Sequence, residues 1–470
     1  MNIEELKNSL LAAPKNGFAR LTAEDRIGME NHAKGYAAFI DACKTEREAV
    51  TWSVQVLKDH GFVELVPGME LKPGDKVYRN VHNKSLMAAV IGSESLNDGA
   101  RICAAHIDSP RMDLKPNPLY EDAGMAYLKT HYYGGIKKYQ WVTVPLALHG
   151  VVYRKDGTVV SVVIGEDEND PVIGLSDLLI HLSGEQMSKK ASEVITGEGL
   201  DIILAGRPLV EEEEAKEPVK AMLLSILKEK YGIEEEDMLS AEIEVVPADK
   251  TRDFGLDRSM LLGYGHDDRV CSFAALEAIL SLPEVPESTC CCLLADKEEI
   301  GSVGATGMRA HYFENAMAEL LNLTDSQYSE LKLRRALAAC RMLSCDVSAG
   351  FDPLFASAFE KKNAAFLGRG VCYNKFTGSR GKSGSNDANA EFIGRLRKIM
   401  DDNNVCWQTA ELGKVDVGGG GTIAYICALY GMEVIDSGVP VLSMHAPLEI
   451  ISKADLYEAV KAYTAFMKEA

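Results

Sequence analysis

The chain has 470 residues, 46% hydrophobic and 26% charged, an ordinary globular balance and a length that suits two domains. Its 50 basic and 70 acidic residues give a formal net charge of -20, which disfavours nucleic acid and anionic membrane surfaces as partners. No stretch approaches the roughly 20 apolar residues of a membrane span, and the opening MNIEELKNSLLAAPKNGF is too polar and acidic for a secretion signal.

These features point to the cytoplasm. The 11 cysteines agree, because they sit in apolar runs such as STCCCLLAD and form no CxxC pair. Residues 22–60 show helical spacing up to VLKDHGF, with Gly61 as a stop. Strands follow at KVYRNVHN, SLMAAVIGS and ARICAAHI. The last is an apolar run with the character of a strand buried on both faces. From about residue 113 to 245 the texture changes. GVVYRKDGTVVSVVIG reads as a hairpin around Lys155-Asp156-Gly157, and the charged stretch 210–237 as a solvated helix or loop. A β/α rhythm then returns: helix DDRVCSFAALEAIL, strand TCCCLLAD, a helical stretch over 310–340, strand ACRMLSCD, helix ANAEFIGRLRKIMDD, strands at VIDSG and PVLSMH, and a last helix from 453. The expected fold is α/β. A mostly parallel sheet flanked by helices is built from 1–112 and 246–470, and 113–245 is an inserted β-rich domain.

Chemistry-bearing residues gather where these apolar strands end, the edge at which α/β sheets bind ligands. His106 and Asp108 follow ARICAA. Asp267 and Asp268 precede a helix, Glu298 and Glu299 follow CCCLLADK, Asp346 follows MLSC, and His445 follows PVLSM. Singly, His106, Asp346 and His445 favour a structural reading, and either aspartate of the 267–268 pair could cap its helix. Adjacent glutamates point in different directions, so one can bind a metal while the other moves a proton. Carboxylates plus two imidazoles suit Zn²⁺, with Co²⁺ or Mn²⁺ as alternatives. A carboxylate shared between two ions is common in two-metal hydrolases.

The segments AAHIDSPR, YYGGIKKYQW, the DDR helix, DKEEIGS, SCDVSAG, VDVGGGGTIA and VIDSGVPVLSMHAP together resemble the M18 metallo-aminopeptidases, the aspartyl aminopeptidase and aminopeptidase I group. The resemblance covers nearly the whole chain. It implies a zinc-exopeptidase type of fold, removal of N-terminal residues from short peptides, and two divalent ions. It further implies Asp267 as the bridging ligand, with Asp268 the alternative. His106 and Asp346 would complete one metal site, and Glu299 and His445 the other. Glu298 would be the base that activates water, and Asp108 would orient His106 or a neighbour. A homo-oligomer, a dodecamer built from dimers through the insert, is implied as well. Where relatives carry a Trp-His-Thr-Trp-like run, this chain has Ile136 to Trp141 without the histidine, leaving Lys138 as a replacement. Lys375, Arg380, Lys382, Lys414 and Gly419 are candidates for the substrate pocket. Another di-zinc hydrolase, such as a deacylase or carboxypeptidase, and an inactive scaffold of the same fold are the competing readings.

Overall fold

The computed structural model describes residues 3–11, 16–209 and 216–469. Part of the charged 210–237 stretch, residues 210–215, therefore lies outside the described residues. The central strands are β1 (Ala100–His106), β2 (Thr289–Ala295), β3 (Arg341–Ser344), β4 (Val371–Asn374) and β5 (Glu433–Gly438). They lie in the order β2-β1-β3-β5-β4 within a nine-stranded sheet. β2, β1, β3 and β5 are mutually parallel, and β4 runs antiparallel to β5. All seven residues of β1 and of β2 are buried. Their runs of Ala, Cys, Ile and Leu show no alternation because both faces are covered.

One face carries the helices α1 (Ala23–Ala42), α2 (Glu46–Asp59), α3 (His266–Leu280) and α4 (Lys453–Glu469). The helical region expected over 22–60 is thus two helices. Thr45 starts the second with a reciprocal cap to Glu48, just as Thr22 starts the first with Asp25. The stretch 310–340 likewise divides at Ser329, whose side chain caps Glu330–Ala339. All 11 cysteines are buried and unpaired.

A second sheet of six antiparallel strands lies wholly between Arg111 and Pro247. It includes the hairpin Leu146–Tyr153 with Val159–Ile164 and has its own apolar cluster around Trp141, Leu146 and Val245. A third, small sheet pairs Met260–Gly263 with Glu449–Ser452, and Glu449–Ser452 with Pro440–Leu442. PVLSMH therefore belongs to this small sheet rather than to the central one. That pairing sets Gly263 beside Glu449. It brings the 265–268 and 443–449 turns to the carboxyl ends of β1, β2 and β3.

Candidate metal centre

Only some of the expected residues follow central strands. His106 ends β1, Glu298 and Glu299 lie just past β2, and Asp346 just past β3. Asp267 and His445 come instead from turns attached to the small sheet. Asp267 sits in the first turn of α3, where it and Asp268 depart from helical geometry across a cis peptide bond. Gly265 before them has φ +73°, and a Cβ there would meet Arg269 Nη2 at 1.6 Å, so a side chain in this turn would have to displace the buried Arg269 guanidinium.

The side chains converge. His106 Nε2 lies 3.2 Å from Asp267 Oδ1, 3.9 Å from Asp346 Oδ1 and 4.0 Å from Glu298 Oε2. His445 Nε2 lies 3.1 Å from Asp267 Oδ2 and 3.4 Å from Glu299 Oε2. Asp267 thus offers one oxygen to each imidazole. Donor atoms of His106, Asp267 and Glu299, and of His106, Glu298 and Asp346, fall within 4.8 Å of one another. Asp268 turns the other way: its Oδ2 accepts the backbone N–H of His106 at 3.2 Å.

The imidazoles are oriented by main-chain carbonyls. His106 Nδ1 bonds the Asp108 carbonyl at 3.0 Å, and His445 Nδ1 bonds the Gly135 carbonyl at 2.8 Å. A carbonyl only accepts, so each Nδ1 carries a proton, and each Nε2 is left facing the carboxylates as the atom that would ligate a metal in place of its proton. The Asp108 carboxylate accepts the N–H groups of Glu298 and Glu299 at 3.1 and 3.2 Å and the Tyr133 hydroxyl at 2.8 Å. Its Oδ1 lies 3.4 Å from His106 Nδ1. Asp108 therefore fixes the glutamate turn as well as its neighbouring imidazole.

Electrostatics show a cluster short of positive charge. Burial, reinforced by neighbouring carboxylates, raises Glu298 to about 7 and lifts Glu299 and Asp346 well above the usual range. Burial opposes protonation of His445, yet Asp267 and Glu299 raise it to about 10. Burial favours protonation of Asp267, but hydrogen bonds from the two imidazoles outweigh it and hold its carboxyl below the ordinary range. Glu299 Oε1 is buried with no hydrogen-bond partner. A site that draws protons onto carboxylates and imidazoles alike is one that divalent cations would neutralise, so these residues fit metal binding.

Several contributing residues carry no sequence signal of their own. Glu449 accepts the backbone N–H groups of Asp267 at 3.0 Å and His445 at 2.6 Å. It holds His445 at φ +66°, a conformation uncommon for residues with side chains. Ser109 Oγ donates to the Asp267 carbonyl at 2.7 Å. Tyr133 ends a strand of the six-stranded sheet, and Gly135 lies in the loop just past it. Only the YYGG doublet, with Gly134 at φ +76°, hints that this loop approaches another backbone.

The centre opens into a cavity of about 520 Å³ that includes Asn374, Thr377, Leu412, Thr422, Tyr425 and Asp436. Gly419 lines it as expected, and a Cβ there would meet the Gly378 carbonyl at 2.8 Å. Among the described residues no lysine or arginine lines it. Arg380, Lys382 and Lys414 surround a neighbouring hollow of about 260 Å³, where Lys382 pairs with Asp387 at 2.9 Å. Lys375 faces a small space beneath helix Ala390–Asp402 instead, because one residue past β4 the chain has crossed to the other face of the sheet. Lys138 Nζ donates to the Ser192 carbonyl at 3.2 Å, within its own segment.

Imidazoles and carboxylates assembled at the carboxyl end of a largely parallel sheet define a metal-dependent hydrolase. The sequence profile of the aminopeptidase I zinc metalloproteases, M18, matches residues 39–467. A probable M18 family aminopeptidase 1 of Clostridium acetobutylicum is 55% identical over 468 residues, covering 98% of this chain and 100% of that protein. The crystal structure of aminopeptidase I from that organism superposes with a TM-score of 0.90 at 50% identity, over 97% of this chain and 100% of that one. An M18 aminopeptidase from Thermotoga maritima gives a TM-score of 0.93 at 43% identity, over 98% and 100%. The chain belongs to the M18 family and is a zinc metallo-aminopeptidase, a hydrolase of peptide bonds.

Proposed function

We propose that the chain is a co-catalytic two-metal aminopeptidase acting on short peptides. The observation that carries this reading is Asp267, which turns one oxygen toward His106 and the other toward His445. Asp267 would bridge two ions, His106 and Asp346 completing one site and Glu299 and His445 the other. Two divalent ions, zinc in this family, would lower the pKa of a bound water and polarise the scissile carbonyl. Glu298 is the proton carrier: both glutamates border the cavity, but its side chain is 16% exposed against 4% for Glu299. It takes the proton of the attacking water and returns it to the departing amine. Asp108 keeps the two glutamates apart in role by fixing both of their backbone N–H groups.

Residues 1–112 and 246–470 form the catalytic unit in this reading, and 113–245 the assembly unit of a homo-oligomer, a dodecamer built from dimers. Support comes from Leu178, Leu179, Ile180, Leu182 and Met187, all exposed on that segment. No helix of the described residues is long and apolar enough to cross a membrane. The buried, unpaired thiols support a cytoplasmic setting.

The test is zinc stoichiometry with a substrate comparison. Reconstituted protein should hold two equivalents of zinc per chain and cleave aminoacyl anilides but not N-acylated amino acids. One equivalent would remove the two-metal reading, and cleavage of the acylated compounds alone would favour a deacylase.

A further inference from the structure

Arg111 closes the AAHIDSPR segment, three residues past Asp108. It opens the strand Arg111–Asp122 of the six-stranded sheet, and its partner in antiparallel register is Tyr133, the last residue of Met125–Tyr133. Side chains directly opposite on one sheet face meet. The guanidinium carbon of Arg111 lies 3.9 Å from the centroid of the Tyr133 ring, so the cation covers one face of that ring. The guanidinium is itself held. Its Nε lies 3.0 Å from Glu244 and 2.8 Å from Asp113, and its Nη1 lies 3.4 Å from Glu46, the first residue of α2. Arg111, Glu46 and Glu244 are all buried, so moving the guanidinium would strip buried carboxylates of a cation. The ring so clamped aims its hydroxyl at the metal centre. It donates to Asp108 Oδ2 at 2.8 Å, and the same carboxylate receives the N–H groups of Glu298 and Glu299 at 3.1 and 3.2 Å. The glutamate turn starts from a left-handed residue, Lys297 at φ +68°, a conformation that its surroundings must hold. Without the hydroxyl, Oδ2 loses the shorter of these two hydrogen bonds. A buried carboxylate left short of donors gains by rotating toward another, and rotation loosens its grip on the Glu298 N–H.

We propose that Arg111 and Tyr133 are positioning residues for the proton carrier Glu298: the guanidinium fixes the ring, the hydroxyl fixes Asp108, and Asp108 sets the turn from which Glu298 reaches the attacking water. The proposal rests on the reading of Glu298 as the base. It makes turnover depend on the six-stranded sheet, to which Arg111, Tyr133 and Glu244 belong. Glu46 ties that group to α2, and Lys84 holds the other Glu46 oxygen at 2.9 Å.

The experiment is a double-mutant cycle on the zinc-loaded full chain, with the best-cleaved of a panel of aminoacyl 4-nitroanilides. Tyr133→Phe keeps the ring under the guanidinium and removes only the donor. It should lower kcat by about ten- to a hundredfold, with KM, zinc content and Tm near native. In a Glu298→Gln background the same substitution should change the residual kcat by less than about twofold, because no base is left to misplace. Arg111→Lys keeps a charge for Glu244 but offers the ring no flat face. It should lower kcat in the native background and add little to Tyr133→Phe. Equal losses from Tyr133→Phe in both backgrounds overturn the proposal, as does zinc loss in that variant, since the hydroxyl would then support only the fold or the metals. Near-native kcat in Tyr133→Phe overturns it too. An Arg111→Lys loss that multiplies with that of Tyr133→Phe overturns the part given to Arg111. Near-native turnover in Glu298→Gln overturns the base assignment itself and the proposal with it, whereas the other outcomes leave that assignment intact. Should Arg111→Lys not fold, Glu244→Gln, which loosens the guanidinium, takes its place in the same comparison.

Discussion

Asp267 and Asp268 are adjacent, both buried, and opposite in surroundings. Asp267 faces two imidazoles, while Asp268 accepts a main-chain N–H and leaves Oδ1 unpaired against the core. The two should therefore separate on mutation. Asp267→Asn is expected to lose zinc and activity together. Asp268→Asn is expected to retain zinc, because it keeps an acceptor for the His106 N–H, and to keep measurable turnover. Zinc analysis of both proteins checks this, and equal zinc loss in the two would remove the distinction. Glu298→Gln preserves the shape of the side chain and removes its basicity. Zinc content should hold while kcat falls by about 10²–10⁴, the usual worth of a positioned acid–base group. Zinc-replete Glu298→Gln protein with near-native turnover would end the assignment. At this scale the sequence was legible where a polar residue interrupts an apolar run, as at His106, Asp346 and the Glu298–Glu299 pair. It was silent about Glu449 and Gly135, whose parts depend on contacts that chain order does not suggest. The Gly135 carbonyl meets an imidazole 310 residues away.

Among elements, the joint between α2 and the six-stranded sheet decides whether the Tyr133–Gly135 segment stays seated on the metal centre. His149 on that sheet bonds Glu48 of α2 at 2.7 Å and Glu166 at 3.1 Å, and Lys44 pairs with Glu166 at 2.8 Å. Burial lowers the His149 pKa, but the two carboxylates outweigh it and hold it above its ordinary value. A raised histidine pKa contributes stability that is complete below the unfolded value and fades as pH rises through the folded one. His149→Gln should therefore cost about 2 kcal/mol under mildly acidic conditions. The Tm gap to the native protein should narrow as pH is raised above the ordinary histidine pKa of about 6.5. Thermal unfolding of both proteins across that range is the measurement, and a pH-independent gap would show that His149 is neutral in the fold. The hairpin and helices of this region were readable from turn chemistry and spacing. The joint was not, because Glu48 serves first as the capping partner of Thr45 and only tertiary contact gives its other oxygen to His149.

For the whole molecule, the arrangement leaves a group of apolar side chains on the 178–187 segment without cover. Ile180, Leu182 and Met187 are 70%, 67% and 69% exposed, although the segment carrying them is tied down by Gln186 and Ser183 hydrogen bonds. An ordered segment that displays apolar residues to water is a common mark of an interface. A copy of the same chain is the occupant the assembly reading supplies. Charges placed there cannot unfold the core beneath, since these side chains point away from it, but they would oppose burial against another copy. The double variant Ile180→Glu with Leu182→Glu is expected to sediment as smaller species than the native protein while keeping its Tm within about 2 °C, as surface changes usually do. Sedimentation velocity at matched concentration reads the outcome. If the native mass persists in the variant, this segment is not a subunit contact, and assembly, where it occurs, must use another face. If the smaller species keeps its zinc, the metal centre is complete within a single chain, as the Gly135–His445 contact inside one subunit already implies.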